Sequence, residues 1–199
     1  MKIVLPENIA DITLEQEQKY NKLLQREDLS DYEKNRRKLE IFTNLTYHQT
    51  KDIIQVDFEE CLIQINKALS EDVPFLNRFT MNGQEFGFIT NLDKLSSDEQ
   101  NALDNISLGE FVDTEKYNAS LDDMHKLITI LFRPVIKSDA FGNYEIAEYN
   151  GTTEWCEYMR KTPLNIVRGA LFFFINLSTE LENYILKYTA QEQAKGMTV

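Results

Sequence analysis

Apolar side chains recur at helical spacing in four short groups over the first seventy residues. Before three of these groups, a Ser or Thr is followed three residues later by Glu or Gln, which is the pattern of a capping box at a helix N-terminus. The three boxes are Thr13 with Gln16, Ser30 with Glu33, and Thr46 with Gln49. Asp57 is predicted to cap the fourth helix, which ends before Pro74. We therefore expect several short helices joined by tight connections, after an edge strand from Lys2 to Leu5.

The pattern changes to alternation at Phe79. Two short alternating runs flank Asn82-Gly83, a dipeptide that strongly favours a two-residue hairpin turn. Gly87 is predicted to mark either a bulge or a close approach of another segment to the backbone. A second hairpin is predicted to pair Val135–Lys137 with Tyr144–Ala147.

Helical spacing returns between and after the two hairpins. Two more capping boxes are predicted, Ser97 with Gln100 and Ser107 with Glu110. Ser120 is predicted to cap a longer helix that Pro134 ends, because the residue before a proline disfavours helical geometry. Thr153 is predicted to begin a short helix that contains Trp155, Cys156 and Met159.

The most apolar stretch runs from Thr162 to Tyr188 and is predicted to be one long helix. Thr162 is suited to a cap and Pro163 to the first helical position, where its missing N–H costs nothing. Within the stretch, Phe172, Phe173 and Phe174 widen the apolar stripe until one turn is apolar almost all round. Such a helix must be buried by other segments or by a partner. These three phenylalanines are the candidate partner-binding residues, and the apolar run is too short to span a bilayer.

Together these elements predict an α+β fold. We expect a mainly α-helical single domain over residues 1–199, with one or two small antiparallel β-hairpins and a long C-terminal core helix. A helical part over residues 1–74 precedes hairpins and helices over 75–150. The C-terminal helices then cover 151–190, and a tail over 191–199 is expected to fray.

Composition adds an acidic field to this picture. The chain has 33 Asp and Glu against 21 Lys and Arg, which gives a net charge of -12. Such a charge repels nucleic acid, so no sequence-specific nucleic-acid partner is expected. The densest basic run, Arg36-Arg37-Lys38, is flanked by Glu33 and Glu40 and is interpreted as a solvated helix face.

No group of residues predicts an active site, a cofactor site or a metal site. The seven glycines are scattered, so no phosphate-binding loop is predicted. His125 follows Asp122 by three residues, and a surface hydrogen bond is favoured there over a pair of metal ligands. Cys61 and Cys156 are interpreted as free packing thiols. We therefore expect a protein that is not an enzyme.

Six stretches resemble a family of small proteins encoded in the structural gene blocks of tailed bacteriophages, including crAss-like phages. The stretches are IADITLEQEQKY, FTMNGQEFGFITNLDKL, GEFVDTEKY, residues 122–135, YEIAEYNGT and MRKTPLNIVRGALFFFINLSTEL. The most specific features are Arg133-Pro134, the arm from Tyr144 to Thr152, and the helix start at Pro163. Phe132 and Thr114 depart from the residue types typical of the family. None of the stretches is a catalytic motif.

The resemblance implies a role in phage morphogenesis. The leading hypothesis is a non-enzymatic structural or assembly protein that acts near the portal and tail. It would contact other phage structural proteins and copies of itself, in virions assembled in the host cytoplasm. Two alternatives stay open. In the first, the protein would be a tail-assembly chaperone that binds a tape-measure or tail protein transiently and is absent from the mature virion. In the second, it would be a small acidic regulator of a host enzyme.

The helical position of Phe173 yields a first prediction. If Phe173 belongs to the core, Phe173→Asp will unfold or aggregate the protein, because a buried unpaired carboxylate is strongly unfavourable. Circular dichroism and light scattering of the purified variant measure this outcome. A variant that keeps its stability but no longer assembles would assign Phe173 to an interface instead.

Overall fold

A computed structural model describes residues 3–89, 95–104, 121–151, 155–173 and 176. Within this part of the chain the helices are α1 (Leu14–Leu24), α2 (Asp31–Phe42), α3 (Gln55–Leu69), α4 (Ser97–Asp104), α5 (Met124–Leu131) and α6, which is helical over residues 164–173. Short 3-10 turns cover Ile9–Asp11, Gln49–Asp52, Leu121–Asp123 and Tyr158–Lys161. None of the described helices is long and apolar enough to cross a membrane.

The strands form one antiparallel sheet in the order β1-β2-β3-β4. They are β1 (Arg78–Met81), β2 (Gln84–Phe88), β3 (Phe132–Ser138) and β4 (Tyr144–Ile146). Asn82 and Gly83 make the first turn with φ angles of 48° and 80°, the left-handed geometry that a two-residue hairpin requires. Both predicted hairpins are therefore confirmed, and the pairing of β2 with β3 joins them. The α+β fold class is confirmed as well.

Two of the predicted capping boxes form as expected. Thr13 Oγ1 accepts from the Gln16 N–H at 3.3 Å while Gln16 Oε1 accepts from the Thr13 N–H at 2.9 Å. Ser30 and Glu33 make the same reciprocal pair. Each box satisfies two backbone donors that the helix start leaves without partners.

The box before α4 lies one residue earlier than predicted. Ser96 and Glu99 form it, with the Ser96 N–H donating to Glu99 Oε2 at 2.7 Å. The predicted pair was Ser97 with Gln100. Glu99 also forms a buried salt bridge with Arg133 at 2.9 Å, a distant contact that helical spacing does not reveal.

Two predictions around the start of α3 are wrong in detail. The box of Thr46 and Gln49 forms, but it leads only into the 3-10 turn Gln49–Asp52. Ile54 then precedes α3 without a side-chain cap, and Asp57 lies in the first turn of the helix. There the Asp57 carboxylate is close to the positive end of the helix dipole, so its effect is electrostatic.

The structure also differs from the sequence prediction at Pro134. Helix α5 ends at Leu131 and β3 begins at the next residue, so Pro134 lies inside a strand opposite Phe86. The Pro134 carbonyl still accepts from the Ala147 N–H at 2.9 Å. The chain extends early because Phe132 packs edge-on against Phe79 and Phe88, which places its ring in the core.

The predicted N-terminal edge strand is absent from residues 3–5, which are irregular. The Val4 N–H instead donates to the Asn44 side chain at 2.9 Å. Several other predictions fall outside the described residues. They concern Lys2, the Ser107–Glu110 box, the Ser120 cap, Thr153, Phe174, and the helix and tail beyond residue 176.

Two of the three cations in the basic run on α2 are packed inward, so its interpretation as a solvated face is wrong for Arg36 and Lys38, whereas Arg37 is exposed. Arg36 and Lys38 are buried. The Arg36 guanidinium lies 4.5 Å from the centre of the Tyr32 ring, and Lys38 Nζ donates to the Tyr20 hydroxyl at 3.1 Å. The long aliphatic stems of these cations allow them to cover apolar surface while their charged ends meet rings and hydroxyls.

Two short segments near the two ends of the described chain, Ile12–Leu14 and Thr162–Leu164, are joined by backbone hydrogen bonds, and we call this pair the clasp. The Leu14 N–H donates to the Thr162 carbonyl at 3.0 Å, and the Leu164 N–H donates to the Ile12 carbonyl at 2.8 Å. All four residues are almost completely buried. Helix α6 begins at Leu164, so Pro163 precedes the helix and lies in the clasp opposite Thr13. The Thr162 hydroxyl donates to the Met159 sulfur, which differs from the predicted cap.

Gly169 lets α6 pack directly on the chain that follows α3. A Cβ atom built on Gly169 would lie 2.6 Å from the Pro74 carbonyl oxygen and 3.2 Å from Phe75 Cα. Both neighbours are backbone atoms, so relief would require the two segments to separate.

We expect Gly169→Ala to destabilise the protein by about 1–3 kcal/mol through overpacking. A loss of stability would be informative because alanine within a helix is otherwise favoured over glycine by about 1 kcal/mol. Urea unfolding followed by circular dichroism measures the difference. An unchanged or increased stability would show that α6 does not pack this closely on Pro74.

Candidate functional site

The three candidate phenylalanines do not share one environment. Phe173 is half-buried, and its ring stacks on Phe75 at 4.6 Å and meets Phe88 edge-on at 5.7 Å. Phe172 is 48% exposed. Phe174 lies outside the described residues. Among the three, the structure therefore assigns Phe173 to packing and leaves Phe172 as the side chain open to a partner.

His125 lies in a polar cluster with Gln18, Glu157 and Arg160, in which His125 and Gln18 are buried and the Glu157 carboxylate is exposed. His125 is 3% exposed, so the predicted surface hydrogen bond with Asp122 is wrong. Asp122 instead pairs with Lys22 at 3.0 Å on the surface. The cluster forms where α1, α5 and the turn Tyr158–Lys161 meet, which brings together residues that are far apart in sequence.

Arg160 is the centre of the hydrogen bonding in this cluster. It donates to Gln18 Oε1 at 2.7 Å and to Glu157 Oε2 at 2.7 Å, and its Nη2 lies 3.0 Å from His125 Nε2. The Gln18 amide in turn donates to the Leu121 carbonyl at 2.8 Å. Because a guanidinium keeps its protons, His125 Nε2 must accept the bond and the imidazole is neutral.

The electrostatics agree with a structural role for His125. Burial, followed by the positive charge of Arg160, lowers the pKa of His125 below its usual 6.5. The bond to Arg160 also occupies the imidazole lone pair that a general base would need. As arranged, the cluster holds three elements together.

Burial disfavours the reactive form of both cysteines. Cys61 is buried and Cys156 is half-buried, and burial raises the pKa of both thiols. The nucleophilic form is the thiolate, which burial disfavours. Among the described residues, no three His, Cys, Asp or Glu side chains are grouped as a metal site would require.

A different surface feature is prominent, namely the β3–β4 arm, which we define as residues 135–146. The first half of β3 pairs with β2 through Phe132 to Pro134, and its second half pairs with β4 only. The register shifts between Val135 and Lys137, so Ile136 has no partner residue and is 66% exposed. Such a bulge turns a side chain out of the strand pair.

The tip of the arm is a well-ordered turn centred on Asp139. Asp139 Oδ1 accepts from the N–H groups of Phe141 and Asn143, both at 2.9 Å. The Asn143 amide donates to Asp139 Oδ2 at 2.7 Å and contributes to lowering the pKa of Asp139. Gly142 supplies the left-handed geometry with φ of 88°. These bonds hold the turn that contains Phe141, which is 92% exposed.

Tyr144 anchors the base of the arm to the rest of the sheet. Its ring covers Gly87, where an added Cβ would lie 2.5 Å from Tyr144 Cε2. The Tyr144 hydroxyl donates to the Phe88 carbonyl at 2.9 Å. The prediction of a close approach at Gly87 is confirmed, whereas the alternative bulge is wrong because β1 and β2 pair there in continuous register.

The sequence contains one indication of this arm that the prediction of the second hairpin did not take into account. Phe141 stands between the turn residues Asp139 and Gly142, and a large apolar residue within a polar turn contradicts the usual pattern unless it is functional. The bonds of Arg160 to His125 and Gln18 had no comparable signal, because 35 residues separate it from His125 and 142 from Gln18.

No protein-family model, curated protein or solved structure matches this chain.

The His125 cluster predicts a pH dependence of stability. Because the pKa of His125 is lower in the folded state than its unfolded value of 6.5, the unfolded chain binds more protons below that pH. Stability should therefore fall as the pH decreases from about 6.5 toward the folded-state pKa. Urea midpoints between pH 7.5 and 5.5 measure this slope.

His125→Gln should lower the overall stability but flatten the slope in this pH range. The only other histidine, His48, is exposed, so His48→Gln is a matched control that should keep the wild-type slope. Equal slopes for the wild type and His125→Gln would contradict a neutral, buried His125.

Proposed function

We propose that this protein is a non-enzymatic structural or assembly protein of a tailed bacteriophage that acts near the portal and tail. The observation that carries the proposal is the β3–β4 arm with Phe141 at its tip. The phage setting rests on the resemblance of six stretches to proteins of structural gene blocks. The arm supplies what such a role requires, a hydrogen-bonded turn that presents a large apolar side chain with no ring contact or core packing within the described chain.

The physical chemistry of the arm suits a contact residue. Burying a phenylalanine removes a large apolar area from water, and aromatic anchors often dominate interface energies. Ordering a flexible loop on binding would oppose that gain. The Asp139-centred turn and the Tyr144 anchor fix the arm before binding, so little order remains to be imposed.

The exposed part of the arm combines apolar side chains, one internal ion pair, and the Asp139 carboxylate, whose charge is stabilised by hydrogen bonds and not by a cation. Lys137 and Glu145 pair across it at 3.0 Å, and Ile136 adds a second exposed apolar side chain. Phe172 offers a further exposed ring elsewhere on the chain. We infer that the arm of one copy inserts Phe141 into an apolar pocket of a neighbouring copy or of another virion protein.

Phe141→Ser is expected to abolish incorporation without affecting folding, because the ring makes no contribution to the core. Tagged wild-type and variant copies would be supplied during infection, and the purified particles analysed by quantitative mass spectrometry. Losing an anchor worth about 2–4 kcal/mol corresponds to at least about a 30-fold weaker contact. Incorporation of the variant should fall accordingly.

The matched control is Leu24→Ser, which changes a 51% exposed leucine at the end of α1. Its incorporation should equal that of the wild type. Equal incorporation of Phe141→Ser would exclude the arm as the contact. A wild-type protein that is required for assembly but absent from particles would replace the structural role by the chaperone role.

A further inference from the structure

Helix α3 exposes large aliphatic side chains on its solvent side. Ile54, Val56 and Ile63 are 65%, 62% and 66% exposed. Val56 and Ile63 are seven residues apart, which places them on one stripe of the helix about 10 Å from each other. We call the surface formed by Val56, Glu59, Glu60 and Ile63 the α3 face.

These exposed apolar residues stabilise neither the helix nor the core of the protein. β-Branched side chains lose rotamer freedom in a helix, so an exposed position is better filled by Ala, Leu, Lys or Glu. Phe58, Cys61 and Ile65 on the opposite side already bury α3 against the core. Contact with another molecule would use Val56 and Ile63.

The same surface carries negative charge that the protein does not neutralise. Glu59 and Glu60 lie between Val56 and Ile63 along the helix, and Asp52 and Asp57 flank them. None of these four carboxylates forms an ion pair with a cation in the described part of the chain; Glu59 accepts only a bond from the Gln55 amide at 2.7 Å.

This combination of apolar and acidic side chains selects the class of partner. A second copy docked face to face would bring Glu59 and Glu60 against like charges, which is unfavourable. Anionic lipid surfaces and nucleic acids are repelled for the same reason. The complementary ligand is an amphipathic helix with apolar anchors one heptad apart and Lys or Arg between them.

We propose that the α3 face binds a cationic amphipathic helix of a partner protein. Two apolar anchors of that helix contact Val56 and Ile63, and its basic residues pair with Glu59 and Glu60. The surface belongs to a different element from the β3–β4 arm, and the proposal does not depend on the role of Phe141.

The test is a titration of the isotope-labelled protein with a synthetic peptide, followed by amide chemical shifts. The probe is a 21-residue helix with Leu at the a and d heptad positions and Lys at e and g. A second peptide carries Glu in place of every Lys. We expect shift changes concentrated on α3 with the Lys peptide only, and weaker binding at higher salt.

Two variants separate the apolar and charged contributions. Val56→Ala with Ile63→Ala should weaken binding at least about tenfold, and alanine favours the helix, so the variant will fold. Glu59→Gln with Glu60→Gln should weaken binding and reduce its salt dependence. Leu24→Ala is the matched control on another exposed helix position and should bind as the wild type does.

Three results would overturn the proposal. They are equal binding of the two peptides, shift changes away from α3, and unchanged affinity of the Val56→Ala, Ile63→Ala variant. Failure of Phe141→Ser to affect particle incorporation would leave the α3 result intact, because the two experiments use different surfaces and different readouts.

Discussion

The clasp between Ile12–Leu14 and Thr162–Leu164 is the interaction on which the arrangement of the helices depends. Two backbone hydrogen bonds at 3.0 and 2.8 Å join segments about 150 residues apart in the sequence, and both segments lead directly into helices. Because these backbone groups are buried, separating the segments would leave donors and acceptors without partners. The clasp therefore fixes the starts of α1 and α6 side by side. Arg168 reinforces this by bridging Glu17 at 3.0 Å.

The position of the exposed arm depends on this buried contact through a short series of elements. Gln18 on α1 and Arg160 just before the clasp hold His125, which fixes α5. Helix α5 then passes into β3 without a loop, so the orientation of the helix determines where the strand leaves the sheet. The position of the arm thus depends on contacts in the core. In the proposed contact of Phe141 with a partner, a flexible connection anywhere in this series would raise the entropy lost on binding.

Features that depend on residues three or four apart, or on one turn, were predictable from the sequence. The capping boxes of α1 and α2 and the Asn82-Gly83 hairpin follow from local geometry alone. The α+β class follows from the change in the spacing of apolar residues along the chain, from helical spacing to alternation and back. Of the candidate phenylalanines, the sequence indicated a crowded apolar turn but not which ring points outward.

Features decided by distant contacts were missed for a physical reason. A run of Arg and Lys on a helix is normally solvated, yet Tyr20, Tyr32 and Phe58 provide rings that hold Lys38 and Arg36 inward. Pro134 normally ends a helix, but burial of Phe132 ends α5 sooner and makes the proline part of a strand. The sequence alone predicts His125 at the surface, because Arg160, its hydrogen-bond partner, becomes its neighbour only through the clasp. In each case tertiary packing outweighs a local preference that is worth only about 1 kcal/mol.

The net charge of -12 constrains how such a protein can form an assembly. Copies of an acidic chain repel one another, so a contact between copies has to draw its energy from apolar burial at a site with little charge of its own. The arm carries less unpaired charge than the α3 face, because Lys137 and Glu145 pair with each other, Phe141 and Ile136 are exposed apolar residues, and the Asp139 carboxylate is its one charge without a cation partner. The α3 face does not meet the condition, because its unpaired carboxylates would make any contact between copies worse. Charge therefore separates the two proposed contacts: the proposal for the arm requires a surface that like-charged neighbours tolerate, and the proposal for the α3 face requires a basic partner.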